Sequence, residues 1–145
     1  MRGEFDFFIE WGVWSNLDSL TEYSLILLYG HIFLEKVLEL GLDRLGVKDP
    51  ENQSFNSKVI RLKNLLMESN QKETIIQSLT ELNRLRNKLA HEFKFDIKNG
   101  EFEKWSDEVH NKFDGEKFTK FTLRTRIVHS FSFLAKAILE NSLRT

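Results

Sequence analysis

The sequence predicts an all-α protein, an antiparallel bundle of four to five helices forming a single helical domain over residues 1–145. Three observations carry that expectation. One proline and seven glycines leave few points at which a helix would be broken. Apolar residues return every three or four positions over long stretches, which is the period of one helix face. Charged residues are 30 % and hydrophobic residues 41 % of the chain. That mix suits amphipathic helices, and the turn signals that a β-sandwich needs every ~8–12 residues are missing.

The elements follow in order. The segment Phe5 to Trp14 is rich in Phe and Trp and is expected to pack as an arm on the bundle or against a partner subunit. Ser19-Leu20-Thr21-Glu22 has capping-box spacing. The first long helix should therefore run from Ser19 toward Leu45, with Gly46 as its stop. Leu27, Leu34, Leu38 and Leu45 form its core stripe, and Gly30 and Gly41 weaken it locally. Lys48 to Asn52 reads as a loop. A second helix spans about Asn56 to Glu68, with Val59, Leu62, Leu65 and Leu66 apolar. A third spans about Lys72 to Glu92, with Ile75, Leu79, Leu82, Leu85, Leu89 and Phe93 as its buried stripe. Asn99-Gly100 lies between two alternating runs, so a short β-hairpin is expected near 94–104. A short helix from Trp105 to Phe113, a turn at Asp114-Gly115 and a last helix from about Lys117 to Leu143 complete the chain. The last helix carries Phe121, Ile127, Val128, Phe131, Leu134, Ile138 and Leu139 as its apolar set.

Composition excludes several functions. There is no cysteine, so disulfides and thiolate metal sites are out. The net charge of -1 provides no bulk attraction to nucleic acid, and any such binding must use a local patch. The first residues interleave charges with aromatics, unlike a signal peptide. No apolar run approaches the ~20 residues of a membrane span. A cytoplasmic protein with no membrane partner is expected. Gly-rich phosphate loops, H-E-x-x-H and G-x-S-x-G are absent from the sequence, and no helix-turn-helix with a basic recognition helix is visible. His31 and Glu35 are one turn apart and read as a His–Glu contact rather than a metal pair. No metal site and no cofactor is expected.

The chemistry concentrates on the third helix. With Arg86 at zero and ~100° per residue, Asn83, Asn87, Thr80, His91 and Arg84 fall between about 60° and 160°. They share one polar face from which Glu81 and Glu92 point away. Arg86 itself starts in the apolar arc, and only its long side chain reaches toward His91. Two arginines, two amides, a hydroxyl and a histidine suit a phosphate. Arg binds phosphate oxygens bidentately, His exchanges a proton near neutrality, and Asn orients or donates.

The run Leu85-Arg86-Asn87-Lys88-Leu89-Ala90-His91 resembles the R-x4-6-H signature of the HEPN superfamily, in which a polar residue often follows the Arg as Asn87 does. Gly30-His31-Ile32-Phe33-Leu34-Glu35 is similar to the first helix of its mannitol-repressor-like branch. The resemblance implies a helical bundle that forms a homodimer, with two copies of the motif facing across a cleft. It implies metal-independent RNA cleavage by attack of the 2′-hydroxyl, with a 2′,3′-cyclic end as product. His91 would then be the acid/base, Arg86 would hold the phosphate and Asn87 would orient one of them. Arg84, Asn83 and Lys88 would contact substrate. Such ribonucleases act as toxins or antiviral effectors, so a cognate antitoxin joins RNA among the expected partners. One toxin subgroup carries a tyrosine that its partner adenylylates; here Glu92-Phe93 follows the motif, and Phe93 lacks the hydroxyl. Two other readings stay open: a non-catalytic regulator resembling the mannitol operon repressor, and a nucleotide or small-anion binder using Arg84, Arg86 and His91. Arg124 to His129 also matches R-x4-H, outside the third-helix context.

Overall fold

A computed structural model of the chain describes residues 8–113 and 122–142, the side chains of residues 14 and 15 excepted. Among the described residues it forms six helical segments and no strand. These are α1 (Glu10–Leu17, wound as a π-helix), α2 (Tyr23–Arg44), α3 (Phe55–Leu65), α4 (Lys72–His91), α5 (Glu101–Phe113) and α6 (Leu123–Ser142), with a 3-10 turn at Pro50–Asn52. The fold class is the all-α bundle that the sequence predicts. No helix among the described residues is long and apolar enough to cross a membrane.

Several starts and stops follow from local chemistry. The Ser19 hydroxyl donates to the Asn16 carbonyl at 3.1 Å, closing the end of α1. Ser19 thus belongs to the turn after α1, and α2 opens later, at Tyr23, with no side-chain cap bond. At its other end Gly46 adopts φ 92°. Val47 N–H donates to the Leu42 carbonyl at 2.9 Å and Gly46 N–H to Asp43 at 3.0 Å, the paired bonds of a glycine-terminated helix. Ser54 caps α3 by accepting from Ser57 N–H at 3.1 Å. That helix ends at Leu65, before the expected Glu68.

The hairpin expected near 94–104 does not form. Asn99 Oδ1 accepts from Glu101 N–H at 2.9 Å and the Gly100 carbonyl accepts from Lys104 N–H at 3.0 Å, so the dipeptide launches α5 instead. Phe102, Trp105 and Val109, spaced by three and four, are buried. Burying that stripe outweighs the weaker alternation on either side of Asn99-Gly100. The indole N–H of Trp105 donates to the Ser78 carbonyl at 2.9 Å and ties α5 to α4.

The core lies between α2, α6, α4 and α5. Ile26, Leu27, Leu34, Leu38 and Leu42 of α2 are fully buried, as are Ile127, Phe131, Leu134 and Ile138 of α6. Two α2 glycines let α6 approach. A Cβ on Gly30 would sit 2.3 Å from the Phe131 ring, and one on Gly41 would sit 2.7 Å from Ser142 Oγ. These same contacts show α2 and α6 running in one direction. Helices α4 and α5 are antiparallel: Trp105 meets Ser78 while Glu101 meets Arg84. Helix α2 meets α4 where His31 bonds Asn83, and its Tyr23 ring lies under Lys98 of the connection that follows α4, at 5.4 Å.

The aromatic start packs on the bundle in part, and Trp11 remains 55 % exposed. Phe8 stacks on Phe33 with centroids 5.5 Å apart, and Val13 and Leu17 are buried. Residues 5–7, the Asp114-Gly115 turn, Lys117, Phe121 and Leu143 lie outside the described residues.

Candidate active site

Helix α4 buries Ile75, Leu79, Leu82 and Leu85 and exposes Thr80, Asn87 and His91. Asn83, Arg84, Arg86 and Lys88 are half-buried. Arg86 begins on the core-facing arc, but neighbouring Ala90 is exposed, so the last turn of α4 runs clear of its cover. The guanidinium swings toward the polar side and Nη1 donates to Asn87 Oδ1 at 3.3 Å. Among the described residues no carboxylate stands within salt-bridge reach of it.

Four acids of α2, α4 and α5 are taken by other cations. Lys58, 2 % exposed, holds Glu35 at 2.8 Å and Glu39 at 2.7 Å. These contacts keep Lys58 protonated: burial opposes its charge, and the two carboxylates more than restore it. Arg84 Nε donates to Glu81 at 2.8 Å, and Nη2 bonds the other Glu81 oxygen and Glu101. Glu81 sits one turn below Arg84, within reach of two long side chains although their Cα directions differ by about 60°. These carboxylates drive the Arg84 pKa up against a smaller opposing cost of burial. Arg84, a residue that the sequence assigned to substrate, is thus engaged in a clamp between α4 and α5. Lys88 lies on the same flank, where its charge contributes to a lowered Glu101 pKa whose largest cause is a hydrogen bond from Asn99.

His31 enters from α2. Its Nε2–H donates to Asn83 Oδ1 at 2.9 Å and its ring stacks on Phe55 with centroids 4.1 Å apart. Burial pushes its pKa below 6.5, and the Arg86 charge pushes the same way against the Asn83 bond and Glu35. The neutral form of the ring is thereby favoured. The sequence pairs His31 with Glu35; the structure pairs it with Asn83 and pairs Glu35 with Lys58.

The structure thus brings Arg86, Asn87, Asn83 and His31 together. His91 stands apart at the end of α4, about 140° around and about 7.5 Å along the axis from Arg86. It is exposed, and no hydrogen bond joins the two. Phe93 is not part of a buried stripe; it is 100 % exposed. Its neighbour Glu92 is extended (φ -105°, ψ 112°), so the helical period has ended before it.

The second R-x4-H run is structural. Arg124 Nη1 donates to the carbonyls of Asp18 at 3.1 Å and Leu20 at 3.0 Å, fastening the α1–α2 connection to α6. His129 is buried. Among the described residues no cluster of three or more His, Asp or Glu is arranged to hold a metal ion.

Chemically, the α4 face offers hydrogen-bond donors and a cation that forms no salt bridge among the described residues, beside an exposed imidazole and an exposed phenyl ring. No family model, no curated protein and no solved structure matches the chain.

Proposed function

We propose that the protein is a HEPN-type, metal-independent endoribonuclease of the toxin or antiviral class, cleaving RNA through Arg86 and His91 in a cleft between two copies of the chain. The observation that carries this reading is the state of Arg86. A half-buried guanidinium normally finds a carboxylate. This one has only an amide oxygen, while Lys58 engages Glu35 and Glu39 and Arg84 engages Glu81 and Glu101. A phosphate is the natural counter-charge.

In the proposed reaction one His91 takes the proton of a 2′-hydroxyl, whose oxygen attacks the adjacent phosphorus. The P–O5′ bond breaks, and the leaving 5′-oxygen receives a proton from the second copy's imidazolium. The products are a 2′,3′-cyclic phosphate and a 5′-hydroxyl. Arg86 offsets the negative charge that builds on the phosphoryl oxygens. Asn87 holds the guanidinium, and Lys88 adds positive charge on the flank. Phe93, two residues beyond His91, supplies a surface on which a base stacks.

One chain presents one exposed histidine on this face, so two-proton chemistry needs a second copy. Leu25, Tyr29 and Ile32 are 37 %, 53 % and 53 % exposed at four- and three-residue steps on α2, an apolar arc suited to such a contact. The second reading, a non-catalytic RNA- or nucleotide-binding regulator, is favoured by one feature: the donor face is complete without His91.

The test is cleavage of a mixed RNA panel in EDTA by wild type and His91→Ala. Cleavage by wild type alone supports the nuclease. Binding without cleavage by the wild-type dimer leaves the regulator, and absence of binding removes both.

A further inference from the structure

We infer that His31 is a positioning residue for the anion site: its ring N–H holds the Asn83 amide oxygen, so that the amide's NH2 faces the ligand beside Arg86. This rests on the reading of the α4 face as a phosphate site and names a residue of that site from another helix.

A primary amide has an accepting oxygen and a donating NH2 on opposite sides of one plane. Unrestrained, Asn83 turns either edge outward, and an outward oxygen would repel a phosphate. His31 Nε2–H at 2.9 Å engages the oxygen. The ring cannot rotate easily, because it is 7 % exposed and stacked on Phe55 at 4.1 Å. The NH2 is consequently directed away from α2. Arg86 treats Asn87 likewise, since its Nη1 engages Asn87 Oδ1. Both amides on this face have their acceptors occupied from within the protein, and both leave donors outward. With the guanidinium between them, the three side chains turn N–H groups outward. The carboxylate nearest His31 on α2, Glu35, is drawn off by Lys58. An anion with several acceptor oxygens, the phosphodiester of RNA, matches this arrangement.

The experiment measures affinity for a ten-nucleotide single-stranded RNA at fixed salt, with inorganic phosphate as competitor. His31→Phe retains the stack and removes the N–H; a loss of about 5- to 15-fold is expected, the worth of one hydrogen bond. His31→Gln retains an N–H donor and should recover most of that loss. Asn83→Ala should lose as much as His31→Phe, and the double variant no more, because His31 acts through Asn83. Asn83→Asp, with an acceptor where the donor stood, should be the weakest binder. Should His31→Phe unfold, the two Asn83 variants decide alone. If His31→Phe and both Asn83 variants bind like wild type while Arg86→Gln is weakened, the inference on His31 falls and the phosphate site stands. If wild type itself binds neither RNA nor phosphate, or binds them no better than Arg86→Gln, both fall.

Discussion

Replacing Arg86 with Met separates a structural arginine from a functional one. A structural guanidinium beside a core holds a carboxylate, and removing it strands that acid at a cost of about 3–5 kcal/mol. Arg86 strands nothing: its hydrogen bond is a 3.3 Å contact to the Asn87 amide. At that length and in partial contact with water, the bond contributes below the usual ~1 kcal/mol. Met retains an aliphatic stem of similar reach. It also removes the cost of holding a charge that is half-withdrawn from water. The expected net effect on stability lies between zero and a gain of about 1 kcal/mol. Binding should move the other way. A charge-assisted hydrogen bond to phosphate contributes about 1.5–3 kcal/mol, so RNA affinity should fall about 10- to 150-fold. Urea midpoints and RNA titrations on the same preparations read both quantities. A midpoint loss worth more than about 1.5 kcal/mol, together with unchanged RNA affinity, would refute the reasoning and make Arg86 a structural residue.

Other consequences are direct. Phe93→Ala should leave the unfolding midpoint unchanged, since the ring is 100 % exposed, and should weaken single-stranded RNA binding by about 1–3 kcal/mol; unchanged affinity in a titration would remove the stacking role. Gly30→Ala should destabilise the protein by about 1–3 kcal/mol in a denaturant titration, because a methyl 2.3 Å from the Phe131 ring forces α2 and α6 apart; a neutral or stabilising effect would contradict the close approach. The His31 pKa is lowered on folding, so below pH 6.5 the unfolded chain takes up a proton that the folded chain resists. That stability component is complete above about pH 6.5 and declines as the pH falls toward the folded-state value. His31→Phe should flatten this segment of the stability–pH curve, and an unchanged slope would exclude His31 as its source.

Much of the bundle was legible because helix periodicity is a local property. Helix α4 spans Lys72–His91, against an expected Lys72 to Glu92, since its apolar stripe continues through the whole helix. Local signals failed where one residue type serves two structures. Asn99-Gly100 suits a hairpin turn and a helix start, and burial of Phe102 and Trp105 chose the latter. Ser19 is a good cap by residue type, but it closes the turn after α1 and α2 starts later, at Tyr23. Phe93 counted as core only while the helical period was extended past Glu92. At the site, wheel angles put Arg86 in the apolar arc with a side chain that must swing out, and the structure has it reach Asn87. The same angles missed Arg84, because side chains one turn apart bridge about 60° of Cα direction. They were silent on His31, whose partner is 52 residues away. Only packing of α2 on α4 makes that pair.

The ends left on cleaved RNA test the proposed chemistry most directly. Attack by the 2′-oxygen, with His91 moving the protons and no metal, predicts 2′,3′-cyclic phosphate and 5′-hydroxyl ends in EDTA. It also predicts that a single 2′-deoxyribose at the cleaved position stops the reaction. Ends bearing 5′-phosphate and 3′-hydroxyl, cleavage that survives the 2′-deoxy substitution, or products made equally well by His91→Ala would contradict it.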